Sequence, residues 1–329
     1  MNSYDTIIIG GGVAGLEAAQ MLGRARRNVL VLDSGAPRNR FAPHMHGVLG
    51  LDGTPPLDLL ARGREEAEGY GVTFATGVVD RIDGSGSDND AESATVRLTC
   101  TDGTEYRTRA VLVATGLDDD LPDIPGLAEH WGGAAFQCPY CHGWEVRDTR
   151  IGVLATSPPS FHQATLIRQW SDSVTVFTTD PALFDGLDED TRAGFAARGV
   201  SLVASPVTEV LSASTDTADS VSSLRGVRTQ DGQTHEVDAL AVSPESRPRD
   251  GFLAGLDLER YEFPGVGTFL QTDETGRTSH PRIWATGNVV NPRFNVPASV
   301  GQASMAAGAL NHVLVLEDTE RAVQEAEDQ

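Results

Sequence analysis

Residues 4–33 read YDTIIIGGGVAGLEAAQMLGRARRNVLVLD. Ile7, Ile8 and Ile9 form a short β-branched run closed by glycines, the pattern of a strand buried on both faces. Leu16, Ala19 and Leu22 then recur at helical spacing, and residues 28–33 (NVLVLD) make a second buried strand. Between strand and helix, Gly10, Gly12 and Gly15 fit G-x-G-x-x-G. Gly10 permits the tight turn, Gly12 lets backbone approach a pyrophosphate, and Gly15 lets helix and strand pack closely. The helix N-terminus offers free N–H groups and a positive dipole end to phosphates. Asp33, about 20 residues beyond the glycines, is placed to accept hydrogen bonds from the adenosine ribose. An acid there fits a free 2′-OH, which suits FAD or NAD and disfavours NADP at this site. Strand, glycines, helix, strand and acid in this order predict an α/β dinucleotide-binding unit.

The rest of the chain bounds what such a unit can serve. Its 329 residues allow two ordinary domains, and 40% hydrophobic content supplies a full core. The net charge is −22, and all 25 basic residues are arginine. Without lysine there is no Schiff-base or P-loop chemistry. The acidic balance argues against nucleic acid or an anionic membrane as partner. No run approaches the ~20 apolar residues that span a bilayer. The opening MNSYDTIIIGGG enters a strand without a basic n-region, so a cytoplasmic protein is expected.

Three cysteines are present. Cys100 ends the alternating run TVRLTC and reads as a small buried side chain. Cys138 and Cys141 lie in CPYCHGWE (138–145). Zinc needs four ligands, and no second C-x-x-C or paired histidines complete a set; no metal is expected. A structural disulfide spanning so short a loop removes little chain entropy. The pair reads best as a redox dithiol. His44 and His46 alternate sides if extended and form no metal pair.

Two further stretches, RAVLVATGLDDDLPDIPG (109–126) and RIWATGNVV (282–290), each carry a buried strand into a glycine turn. Together with Gly10–Gly15, the C-x-x-C and the closing SVGQASMAAGALNHVLV, they resemble the low-molecular-weight thioredoxin reductase family along nearly the whole chain. The resemblance implies two Rossmann-like, three-layer domains. A discontinuous FAD domain would span 1–117 and 246–329, and a second domain, 118–245, would carry the cysteines at its start. It implies FAD as cofactor and a homodimer. Ala114, Thr115, Gly116, Gly287 and Asn288 become flavin-contacting. The family has Asp at the last of these; the amide of Asn288 can donate and accept there without charge. Ser34 follows the acid, and Arg40 and His46 lie in the 37–53 loop expected to cover the flavin. All three are expected cofactor contacts, His46 reaching either the ring or the substrate. Gln302 and Ala303 are expected to open the last helix against the flavin. Cys141 would be flavin-proximal and Cys138 the exchanging thiol.

The second domain departs from that family. RIGVLATSPPSFHQATLIRQW (150–170) keeps the strand and the helix, but Ala155–Ser160 lacks the glycines that admit a pyrophosphate. Two prolines remove N–H donors. The strand that follows has Asp180, Asp185 and Asp188 nearby and no arginine for a 2′-phosphate. This pattern resembles the FAD-dependent dithiol oxidases of the gliotoxin, holomycin and romidepsin types, which close an intramolecular disulfide in a small-molecule dithiol with O2 and release H2O2. His142 stands where the reductases carry Asp and reads as the proton carrier; capping of a following helix is the structural alternative. An NADPH- or ferredoxin-driven reductase and a flavin-bearing redox sensor are the competing readings. Segments 83–93 and 212–223 read as solvated hairpin tips.

Overall fold

A computed structural model describes residues 3–85, 95–213 and 224–328; most of both expected hairpin tips lies outside the described residues. Two sheets organise the chain. In the first, Thr73–Thr76, Val29–Asp33, Ser3–Ile9 and Glu105–Val113 run parallel, in that order. Ile283–Ala285 joins Glu105–Val113 in parallel, and Thr95–Cys100 and Val79–Ser85 extend the sheet antiparallel. Ile7 and Ile8 are fully buried, packing on opposite faces into two separate cores. This is the two-sided burial that their unbroken apolar run predicts.

The second sheet is all parallel: Ser201–Leu202, Ser173–Thr178, Arg150–Ala155, Ala239–Val242 and Ala135–Phe136. Helix Pro159–Ile167 packs on it through Phe161, Ala164 and Ile167. The fold is therefore α/β, with two mainly parallel sheets in keeping with the Rossmann-like units expected from the sequence.

Between the sheets the chain crosses twice, as a ribbon of Leu117–Asp120 paired antiparallel with Glu245–Pro248. Each acid of that outgoing strand meets an arginine. Asp118 binds Arg249 at 2.6 Å, Asp119 binds Arg38 at 2.6 Å and Asp120 binds Arg247 at 2.9 Å. The Asp120–Arg247 pair is open to solvent and adds little stability, whereas Asp119 and Arg38 are largely covered. Cys100 is buried and free, and burial pushes its thiol pKa up, as an inert core cysteine requires. No helix of the described residues is long and apolar enough to cross a membrane.

Candidate active site

One cavity of about 980 Å³ runs from the glycine turn of the first sheet to the cysteine pair. Gly10, Gly12, Asp33, Ser34, Ala114, Thr115, Gly116, Gly287 and Asn288 line one part of it. Cys138, Cys141, His142 and His46 line another, with Ser157, Pro159 and His162 contributed by the second sheet's first turn.

The glycine turn suits a dinucleotide. At Gly12 nothing lies within 4 Å of where a Cβ would stand, so the backbone is open to the cavity. Gly10 has φ +105°, and a side chain there would strike the Ala114 carbonyl. A Cβ on Gly15 would strike the Gly10 carbonyl, which is why helix and strand approach only with glycine. Gly11 N–H donates to Asp33 Oδ1 at 3.0 Å, aiming the carboxylate and leaving Oδ2 for a ribose hydroxyl. Thr115 Oγ1 is buried in the cavity wall without a protein partner, as expected of a group awaiting a ligand. These residues fit the adenosine and pyrophosphate of FAD.

Four expectations for this wall are corrected. Arg40 points outward and lies over the Phe41 ring, 4.1 Å from its centroid. Arg38, one residue before Asn39 in the same 3₁₀ turn, faces the cavity instead, gripped by Asp119, the Gln137 amide oxygen and Pro292 O. The C-terminal helix starts at Val296, capped by Asn295, whose Oδ1 accepts from Ala298 N at 3.1 Å. Its first turn, through Ser299, lines the cavity, while Ala303 is fully buried in the core beneath. Gln302 acts one layer back: its Oε1 accepts from Thr286 Oγ1 and Gly287 N, both at 2.8 Å. Asn288 spends both amide hydrogens on Asn291 O (3.0 Å) and Phe294 O (2.9 Å), so only its oxygen remains for a ligand hydroxyl. A carboxylate could not make those two bonds.

Cys138 and Cys141 form a disulfide across a single helical turn, Pro139–His142. Cys138 is the N-cap, and its Sγ accepts from Cys141 N at 3.1 Å. Pro139 supplies the pre-set first helical position. His142 closes this turn, and no helix follows for it to cap. Its ring packs on Phe136, with centroids 4.9 Å apart. Burial lowers the His142 pKa, and His46 adds to the shift while Glu145 opposes it. The shift favours the neutral imidazole, the form that accepts protons. His46 does reach this site: its Nε2 lies 3.4 Å from Glu145 Oε1. Nothing in the sequence marks Glu145, because only folding brings the 37–53 loop over the cysteine turn.

In the second sheet's corresponding turn, three backbone donors are engaged locally. Thr156 N donates to Ser160 Oγ at 3.2 Å, Ser160 N to Ser157 O at 3.0 Å and Phe161 N to Pro158 O at 3.1 Å. Pro158 and Pro159 have no N–H to offer. Beyond the next strand, Asp180 Oδ1 accepts from Ala182 N at 3.0 Å, so an acid sits there.

A cysteine pair that cycles needs an electron acceptor within reach, and the cradle sharing its cavity can seat one. That pairing defines the flavin-linked disulfide oxidoreductases. The chain belongs to the pyridine nucleotide-disulphide oxidoreductase family, whose model matches residues 4–309. FAD is the cofactor of that family. Among solved structures, that of HlmI is 42% identical, with a TM-score of 0.89 over 99% of this chain and 97% of that one. Thioredoxin reductase aclD of Aspergillus oryzae is 30% identical over 92% of this chain and 94% of its own length. A probable thioredoxin reductase of Arthroderma benhamiae is 37% identical over 151 residues; that match spans 46% of this chain and 37% of the relative.

Proposed function

We propose that the protein is an FAD-dependent dithiol oxidase that closes an intramolecular disulfide in a small-molecule dithiol of natural-product type, with dioxygen as acceptor. The observation that carries this reading is the second turn, which has no glycine, two prolines without N–H groups, and backbone donors engaged by Ser160 Oγ and by neighbouring carbonyls. In this reading residues 1–117 and 246–329 hold FAD, and residues 118–245 present the cysteine pair and close the cavity.

A substrate thiolate attacks Cys138 Sγ and breaks the Cys138–Cys141 bond, leaving a mixed disulfide and a Cys141 thiolate. The second substrate thiolate attacks the substrate sulfur of that mixed disulfide, closes the product and frees Cys138 as a thiolate. Cys141 N–H, already directed at Cys138 Sγ, stabilises that leaving charge. Bound FAD supplies the two-electron relay to dioxygen, so that dithiol plus O2 becomes disulfide plus H2O2. Neutral His142 takes the thiol protons. The exposed apolar residues Met305, Leu316 and Val323 on the C-terminal helix support pairing with a second copy of the chain.

Reduction of a protein disulfide with NADPH or ferredoxin is the second reading, favoured by the names of the relatives. Anaerobic mixing separates the two. A small dithiol is expected to bleach the flavin absorbance, NADPH at millimolar levels is not, and air restores the colour with about one H2O2 per disulfide. Fast bleaching by NADPH overturns the oxidase reading.

A further inference from the structure

His46 stands between two carboxylates. Its Nε2 lies 3.4 Å from Glu145 Oε1, and its Nδ1 lies 3.3 Å from Asp52 Oδ1. Glu145 follows the cysteine turn and is tied to it, its N–H donating to His142 O at 3.2 Å. Asp52 is held by the covering loop, where its Oδ1 also accepts from Gly47 N at 3.1 Å. Along the file the side chains are 32% exposed at Glu145, 24% at His46 and 71% at Asp52, so it is partly covered at its first two members and opens to solvent at Asp52. A neutral imidazole carries one N–H and one lone pair, so a ring with an acceptor at each nitrogen can take a proton on one side and release it on the other.

We infer that Glu145, His46 and Asp52 form a proton path between His142 and solvent, an inference that rests on the dithiol-oxidising reading of the site. The chemistry needs one. Closing a disulfide removes two protons from two thiols, and reducing O2 to H2O2 consumes two. The sum is zero, but release precedes uptake, so any proton not held in the cavity in the meantime leaves it and returns. His142 responds to the charges of both Glu145 and His46. Other side chains of the cavity do other work. Phe136 covers its ring and cannot carry a proton. Arg38 across the cavity is engaged by Asp119 and Gln137, and His162 lines the second-sheet wall.

The test uses the FAD-loaded enzyme, with dithiothreitol and air as probe. His46→Ala and Glu145→Gln are expected to slow turnover by about 10²-fold, the scale of lost acid–base assistance, with flavin content unchanged. The rate of the His46→Ala enzyme should then climb with added imidazole buffer, while the parent rate stays flat. In parallel, NMR of histidine-labelled protein follows the titration of His142 without turnover. Its midpoint should fall in Glu145→Gln and rise in His46→Ala, since Glu145 favours the cation and His46 opposes it. Slow variants that buffer does not rescue, with the His142 midpoint unmoved, overturn the path. If the parent enzyme leaves dithiothreitol untouched, the oxidase reading fails, and the NMR shifts alone decide whether the three groups are coupled to His142.

Discussion

The chain contains two strand–turn–helix units of similar outline, one at Ile9–Val13 and one at Ala155–Pro159. Both strands are buried in parallel sheets, and both helices pack back on them. They part company at the turn. In the first, the N-cap is Gly12, without a side-chain cap and with open space before it. In the second, the backbone N–H groups of Thr156, Ser160 and Phe161 are bonded within the turn. A helix N-terminus binds phosphate only while its donors are free. The scaffold is held by its apolar faces and so outlasts the loss of the ligand site. Nucleotide affinity rests on a handful of backbone donors that side chains can occupy.

The largest effect should follow from making the first turn resemble the second. Gly15→Ala places a methyl against the Gly10 carbonyl. Overpacking of this kind costs about 1–3 kcal/mol and shifts the backbone that meets the pyrophosphate. Purified protein should lose its flavin absorbance, and retained flavin at full occupancy would break the assignment of this cradle. Asp33→Ala is next. It removes the acceptor of Gly11 N–H and the proposed partner of the ribose. A charged hydrogen bond contributes about 1.5–3 kcal/mol, so FAD affinity, read by flavin fluorescence on titration, should fall roughly 10–100-fold.

Asn288→Asp sharpens the comparison from the other side of the same cavity. The change restores the acid of the reductase pattern but deletes two N–H···O=C bonds to Asn291 and Phe294. At about 0.5–1.5 kcal/mol each, the variant should melt lower and bind FAD more weakly than the parent. An increase in FAD affinity would mean that the amide holds no loop and merely replaces a better ligand.

Legibility followed sequence distance. Gly10, Gly12, Gly15 and Asp33 could be read because one turn and one neighbouring strand bring them together. The cysteine pair was legible for the same reason. Spacing alone does not distinguish Arg38 from Arg40, because a 3₁₀ turn sends one inward and the other onto Phe41. Gln302 was read too far forward, although Asn295 followed by Pro297 is an ordinary helix-start signal that marks the true first turn. The Glu145–His46 contact joins segments about 100 residues apart in sequence, and only tertiary structure supplies it. Arg247 and Arg249, which meet Asp120 and Asp118, lie in and just after the returning strand and are joined to those acids only by folding.

The smallest effect belongs to the second turn, and it tests whether side chains there hold structure or ligand. Ser160 is fully buried, and its Oγ accepts the Thr156 N–H while Thr156 Oγ1 donates to Ser243 O at 2.6 Å. Ser160→Ala leaves one backbone donor without its acceptor. The loss of an ordinary neutral hydrogen bond is about 1 kcal/mol, so urea unfolding should shift by that amount, with FAD content unchanged. The freed N–H does not recreate a cradle, because Pro158 and Pro159 still lack donors and Asp180 still stands beyond the next strand. Calorimetry with NADPH should therefore show no binding in the parent or in Ser160→Ala. Binding gained by this one substitution would mean that the second turn is a closed nucleotide site, with Ser160 Oγ as its latch.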